Sequence, residues 1–164
     1  MTVDDLTAHG AERMDAAAID SFLSSQRVGV LGLPGADGDA PAMRPLSFAY
    51  GDEATLYLLY VGGDGSRKRD LSDRAETARF LVYTAETAFN WRSVLLAGRV
   101  ERVPSAEAET LGEEATLPWQ PDLLRATGEA TESALYRFAV EDRTGLRHAG
   151  LPEGFDARTD GDGA

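Results

Sequence analysis

Cysteine is absent from all 164 residues. That excludes a disulfide framework, a thiolate zinc site, an iron–sulfur cluster and a cysteine nucleophile. Histidine is almost absent, with only His9 and His148. A His-rich metal centre is therefore not expected, and no metal is assigned. Lysine is rarer still: of 16 basic residues only Lys68 is a lysine. No apolar run approaches the ~18 residues of a membrane-spanning helix. The first residues, MTVDDLTAHG, show neither a basic n-region nor an apolar h-region. These absences predict a cytoplasmic protein with no membrane contact.

Positive charge is the scarce sign. The 28 acidic residues outnumber the basic ones, for a net charge of −12. Non-specific nucleic-acid binding needs a cationic surface, so nucleic acid is excluded as a partner. Docking on an anionic membrane is disfavoured for the same reason. Dense carboxylates and few lysines suit a high-salt cytoplasm, where salt screens the repulsion between them. A GC-rich genome would also favour Arg, Ala and Gly, but the acid excess points to halophily. The length corresponds to one domain that buries roughly 70% of its unfolded surface. Residues 1–154 read as that domain, opening with a loose polar arm over 1–13. The segment FDARTDGDGA, 155–164, reads as an acidic flexible tail with nothing to bury.

A first helix is expected from Asp15, whose carboxylate can cap free N–H groups at 16–18. Ile19, Phe22 and Leu23 then form one apolar stripe, ending near Gln26. The period changes to two from Val28. Strands are expected over 28–33, 42–50, 55–61, 77–84, 91–103 and 134–141, with helical patterning at 106–115 and 121–127. Most connections are too short for βαβ crossovers. No GxGxxG follows the first strand, so a dinucleotide-binding sheet fits poorly. Six short strands with few helices predict a mainly β fold, a closed antiparallel barrel. Apolar strand positions such as Leu56, Leu58 and Leu95 leave more apolar surface than one or two helices can cover. A second copy of the chain is the expected cover.

Residues 62–69 read GGDGSRKR and carry the chemistry. The glycines free backbone N–H groups and permit turns. Ser66 can cap a short helix beginning at Arg67. Arg67, Lys68 and Arg69 then crowd that helix's first turn, where cations oppose the helix dipole. A bound anion would relieve the conflict by taking the N–H groups and the cations together. A solvated helix face, paired with Asp70, Asp73 and Glu76, is the competing reading. Arg44 adds a cation on the second strand, and Ser47 and Ser93 offer hydroxyls. Barrel packing is the simpler role for Ser47 and Phe48, and core or interface packing for Trp91. His148, in GLRHAG, reads as a surface loop residue. The carboxylates are too numerous to single out an acid/base pair, so no catalytic residue is named.

Taken in order, IDSFLSSQ, VGVLGLP, MRPLSFAY, LYLLYVGGDGSRKRDLSDRAETARFLVY and WRSVLLAGRV span residues 15–103. They resemble the pyridoxamine 5′-phosphate oxidase-like family, the FMN-binding split barrels. GSRK, followed by a leucine, a short helix and an apolar strand, is the most specific piece. The resemblance implies a six-stranded antiparallel split β-barrel of Greek-key type. It also implies a homodimer with two FMN molecules in clefts between subunits. Carried over by position, Arg67 and Lys68 hold the FMN phosphate, helped by Arg44 and the Ser66 helix start. Arg44, Pro45, Leu46, Ser47, Phe48 and Ala49 run beside the flavin and ribityl chain. Val61 and Gly62 approach the ring with backbone groups, and Ser93 hydrogen-bonds the flavin. Trp91 or Trp119 covers the ring.

True pyridoxamine phosphate oxidases end in a basic, aromatic segment for the vitamin phosphate. This chain ends in LRHAGLPEGFDARTDGDGA, so it resembles instead the generic members of unassigned substrate, nitroimidazole-reductase-like proteins among them, and is haloarchaeal in type. The expected function is an FMN-dependent oxidoreductase acting on a small molecule or electron donor. The alternatives are a non-enzymatic flavin carrier and a deazaflavin- or haem-binding split barrel. Both histidines read as lying outside the strands, which disfavours haem.

Overall fold

The computed structural model describes residues 3–8, 10–35, 39–52, 54–61, 77–113 and 133–150. The expectations for 62–76, for the helix at 121–127 and for the tail at 155–164 lie outside the described residues.

The elements are α1 (Val3–Ala8), β1 (Glu12–Arg13), α2 (Ala16–Ser25), β2 (Val28–Leu33), β3 (Ala42–Asp52), β4 (Thr55–Val61), β5 (Ala78–Thr87), β6 (Asn90–Arg102), α3 (Ser105–Glu113) and β7 (Ser133–Ala149). The strands neighbour one another in the order β1-β7-β4-β3-β2-β5-β6, and β6 pairs again with β7. Strands β2 to β7 thus form a closed six-stranded antiparallel barrel, with β1 as an extra strand. The 17-residue β7 makes closure possible. Its first part pairs with β4, from Ser133 opposite Val61 to Ala139 opposite Thr55. It continues along β6 as far as Ala149 opposite Asn90. A strand bonded on both sides leaves no open edge there.

Alternation along each strand fills the interior. Leu31, Leu33, Leu46, Phe48, Leu56, Leu58, Phe80, Val82, Val94, Leu96 and Phe138 share one buried cluster. Phe48 meets Phe80 edge-on at 5.3 Å, and Tyr60 stacks on Tyr136 at 4.2 Å. α2 adds Ile19, Phe22 and Leu23 to this core. Its start is as the sequence predicts, with Asp15 Oδ1 accepting from the Ala18 N–H at 2.8 Å. α3 covers a second cluster on the outer wall, where Ala108 and Leu111 pack over Ala49, Leu59 and Leu135. An Arg137–Glu107 ion pair ties α3 to β7.

Four expectations are corrected. Residues 1–13 are not simply a loose arm, because they contain α1 and β1, which pairs with β7 at Arg147 and Leu146. The last strand does not stop at Glu141. The run Glu141, Asp142, Arg143 and then Gly145 hides its continuation, yet Gly145 is required. A Cβ there would lie 2.7 Å from Ile19 and 2.9 Å from Met14. His148 is therefore on β7 rather than in a loop, and it is only 8% exposed. Leu56 and Leu58 face the core and are fully buried, so of the three leucines only Leu95 contributes outer apolar surface.

A polar clasp joins α2 to the barrel. The Tyr50 hydroxyl donates to Asp20 Oδ1 at 2.6 Å, and Arg143 donates to the same oxygen. The Tyr50 bond, opposed by burial and reinforced by Arg143, holds the Asp20 carboxyl below its ordinary range. Burial and then the Asp20 bond push the Tyr50 hydroxyl up to about 12. The carboxylate's contribution is present above its unfolded pKa of about 3.9 and is lost as pH falls through the lower folded value. The tyrosine's contribution is full below about pH 10 and is lost as pH rises through the raised folded value. Asp20→Asn should cost about 1–2 kcal/mol at neutral pH, a charged hydrogen bond discounted for partial exposure. It should also flatten both arms of the stability–pH curve. Thermal melts of parent and variant from acid to alkaline pH check this, and parallel curves would contradict the clasp.

Candidate functional site

The register of four strands lays out the wall that α3 does not cover. Val30 is opposite Pro45 on β3 and Leu81 on β5, and Leu81 is opposite Leu95 on β6. Gly32 is likewise flanked by Met43 and Arg79, with Ala97 beyond. Val28 pairs with Ser47, and Tyr83 pairs with Ser93. The β2–β5 register carried two residues on brings Val28 level with Tyr83. Alternation turns all these side chains away from the core. Val28, Met43 and Tyr83 are each 58% exposed and Leu95 is 45% exposed. They are the exposed large hydrophobic residues among those described, and all four lie on this wall.

None of these positions is acidic, in a chain with 28 acidic residues. Arg79 supplies the wall's charge. Exposed Arg44 sits one step along β3, where its Nη1 donates to the Met43 carbonyl at 2.8 Å. Arg27 is committed elsewhere, donating to the carbonyls of Ser24 and Gln26 at 2.7 and 2.8 Å at the end of α2. Between α2 and the wall lies a groove of about 550 Å3, lined by 25–30, Pro45 and Tyr83.

The predicted site residues separate by face. Pro45, Ser47 and Ser93 share the outer wall. Leu46 and Phe48 point into the core, so only their backbone can serve a ligand. Ala49 is buried beneath α3. Val61 closes β4 opposite Ser133. The β3–β4 register, with Phe48 opposite Leu58, runs Val61 towards the Pro45 end of β3. Gly62, Ser66, Arg67 and Lys68 follow it in sequence and lie outside the described residues, as does Trp119. Trp91 is half-buried opposite His148, with ring centroids 6.1 Å apart. The His148 Nδ1 is 3.0 Å from the Phe89 carbonyl, and its Nε2 side faces Gly10. Gly10 has φ +92, and a Cβ there would lie 3.1 Å from that nitrogen. Sequence patterning did not single out Val28 or Tyr83. The alternation of VGVLGL and RFLVYT marks two faces but not which of them is the outer one.

Among the described residues, no group of three His, Asp or Glu side chains is arranged to hold a metal. None of the described helices is long and apolar enough to cross a membrane.

A family model described as pyridoxamine 5′-phosphate oxidase matches residues 15–147. No curated protein sequence matches the chain. Among solved structures, a FAD-binding protein from Mesorhizobium loti is similar at TM-score 0.67 and 23% identity, over 85% of this chain and 98% of that one. A FAD-binding protein from Mycobacterium smegmatis is similar at TM-score 0.61 and 13% identity, over 83% and 98%. A FAD- and heme-binding protein of the same organism is similar at TM-score 0.63 and 20% identity, over 88% and 76%. These likenesses establish a shared split-barrel fold.

Proposed function

Because the chain belongs to the pyridoxamine 5′-phosphate oxidase family, we propose that it binds a flavin, as FMN, on the α3-free wall and acts as a flavin-dependent oxidoreductase. The observation that carries this reading is the wall itself. It is apolar and free of carboxylates, it bears Ser47 and Ser93 hydroxyls, and its Pro45 end lies where β4 leads into GGDGSRKR. An anionic cofactor meets no carboxylate at these positions, although the chain's net charge is −12. The flavin supplies the redox chemistry when bound. The chain's own contributions are a flat apolar seat, hydroxyl partners for the ring's polar edge and cations for the phosphate, from Arg67 and Lys68 with Arg44.

The same wall is the surface on which a second copy docks. Exposed Val28, Met43, Tyr83 and Leu95 form an apolar patch with no acid to repel its duplicate. A two-fold pairing of this kind buries about 2,000 Å2 or more in an obligate dimer. The flavin then lies between the copies. The acid-rich surface elsewhere suits a salt-rich cytoplasm.

Haem is a poorer fit. His148 is the described imidazole, and it is enclosed between the Phe89 carbonyl and Gly10. At 8% exposure it offers little surface to an iron. The absorption spectrum of the purified protein separates the readings. Flavin gives bands near roughly 370 and 450 nm, whereas haem gives a Soret band. Identification of the released cofactor then distinguishes FMN from FAD and from a deazaflavin. Turnover with a nicotinamide reductant and an electron acceptor supports the oxidoreductase over a flavin carrier. A colourless protein that takes up no flavin would overturn the proposal.

A further inference from the structure

We infer that Tyr83 is a ring-contact residue, its phenol forming the wall of the groove against which the planar ring of the flavin lies. This rests on the flavin reading above and adds to it a residue that the motifs do not mark. Phe48, Tyr60, Phe80, Tyr136 and Phe138 are all fully buried. Tyr83 alternates with Phe80 and Val82 on β5, yet it is 58% exposed on the opposite face. More than half of it is left uncovered by its own barrel.

The groove beside it has a floor of Val28, Val30 and Pro45. At about 550 Å3 it is within the range of about 300–1,000 Å3 usual for small-molecule sites. Beyond its lining, the wall carries a hydroxyl at each end of the Val28–Tyr83 row. Ser47 is beside Val28 on one side, and Ser93 is beside Tyr83 on the other. Three strand spacings separate the two serines, about 14 Å. The row therefore offers an apolar centre with a hydroxyl at each end, which suits a flat heteroaromatic ring with polar edges. The chain leaves β4 at the Pro45 corner, so the phosphate enters from the side away from Tyr83. That polarity puts the ring, not the phosphate, against the phenol. Aromatic faces favour offset stacking on such a ring.

The test uses the full-length protein freed of cofactor. FMN and riboflavin are titrated into the parent, Tyr83→Leu and Tyr83→Phe, and light scattering gives the mass of each. Leucine keeps apolar bulk for the contact between copies but removes the flat ring. Tyr83→Leu should weaken FMN and riboflavin by the same factor, about 2- to 12-fold, because both carry the ring. Tyr83→Phe should stay within about twofold of the parent. Both variants should keep the parent's mass. The inference is overturned if Tyr83→Leu binds both flavins as the parent does. It is also overturned if the variant loses mass while the remaining dimers bind flavin unchanged, since Tyr83 then serves the contact between copies and not the ring. A parent that binds neither flavin overturns the cofactor reading itself, which is a different result from either of these.

Discussion

Lys68→Ala should weaken FMN binding by roughly 10- to 150-fold and leave riboflavin binding nearly unchanged. Riboflavin lacks the phosphate, so the difference between the two ligands isolates the contact. Lys68 is the single lysine of the chain, between Arg67 and Arg69. A hydrogen bond to a charged group contributes about 1.5–3 kcal/mol, which sets the range. Arg69→Ala, one position on in the sequence, should matter much less. Titration of each variant with both flavins checks this. Loss of FMN in Arg69→Ala but not in Lys68→Ala would shift the assignment by one residue. No effect in either would make the cluster a solvated group of surface charges.

Phe80→Ala should destabilise the barrel by about 3–5 kcal/mol. Phe80 is fully buried, edge-on to Phe48 at 5.3 Å and tilted against Phe138 at 6.0 Å. Its removal leaves a cavity where β2, β3 and β7 converge. Arg79→Ala, on the outer face beside it, should stay within about 0.5 kcal/mol. The contrast tests the register of β5, because a slip by one residue exchanges the two faces. Urea unfolding of both variants measures it. Equal small losses, or the reverse order, would contradict the register from which the α3-free wall is built.

The barrel was legible where local chemistry determines structure. Asp15 caps α2, Ile19, Phe22 and Leu23 make its stripe, and the period-two runs became β2 to β6. β7 was only half legible. Its second half carries Glu141, Asp142 and Arg143, whose pattern reads as a loop until closure against β6 gives those backbone groups partners. Gly145 looks like a strand end and is instead the space into which Ile19 and Met14 fit. His148 followed the same error.

The candidate site was legible as a set of segments but not as a surface. Pro45, Ser47 and Ser93 are far apart in sequence, and only the pairing of four strands aligns them. The leucines show why. Leu56, Leu58 and Leu95 are one residue type on alternating strands, yet two fill the core and one faces out. Which face is outer depends on where α2 and α3 pack, and no local pattern states that. The exposure of Tyr83 was not foreseen for this reason, since an aromatic in an apolar strand reads as core until the register turns it outwards.

The most direct measurement is size-exclusion chromatography of the flavin-loaded protein, with light scattering and flavin absorbance recorded on the same peak. The account predicts one peak with the mass of two chains, about 35 kDa from 17.6 kDa each, carrying one flavin per chain. Flavin on a particle of one chain mass would contradict a site between copies, and a two-chain peak without flavin absorbance would contradict the cofactor.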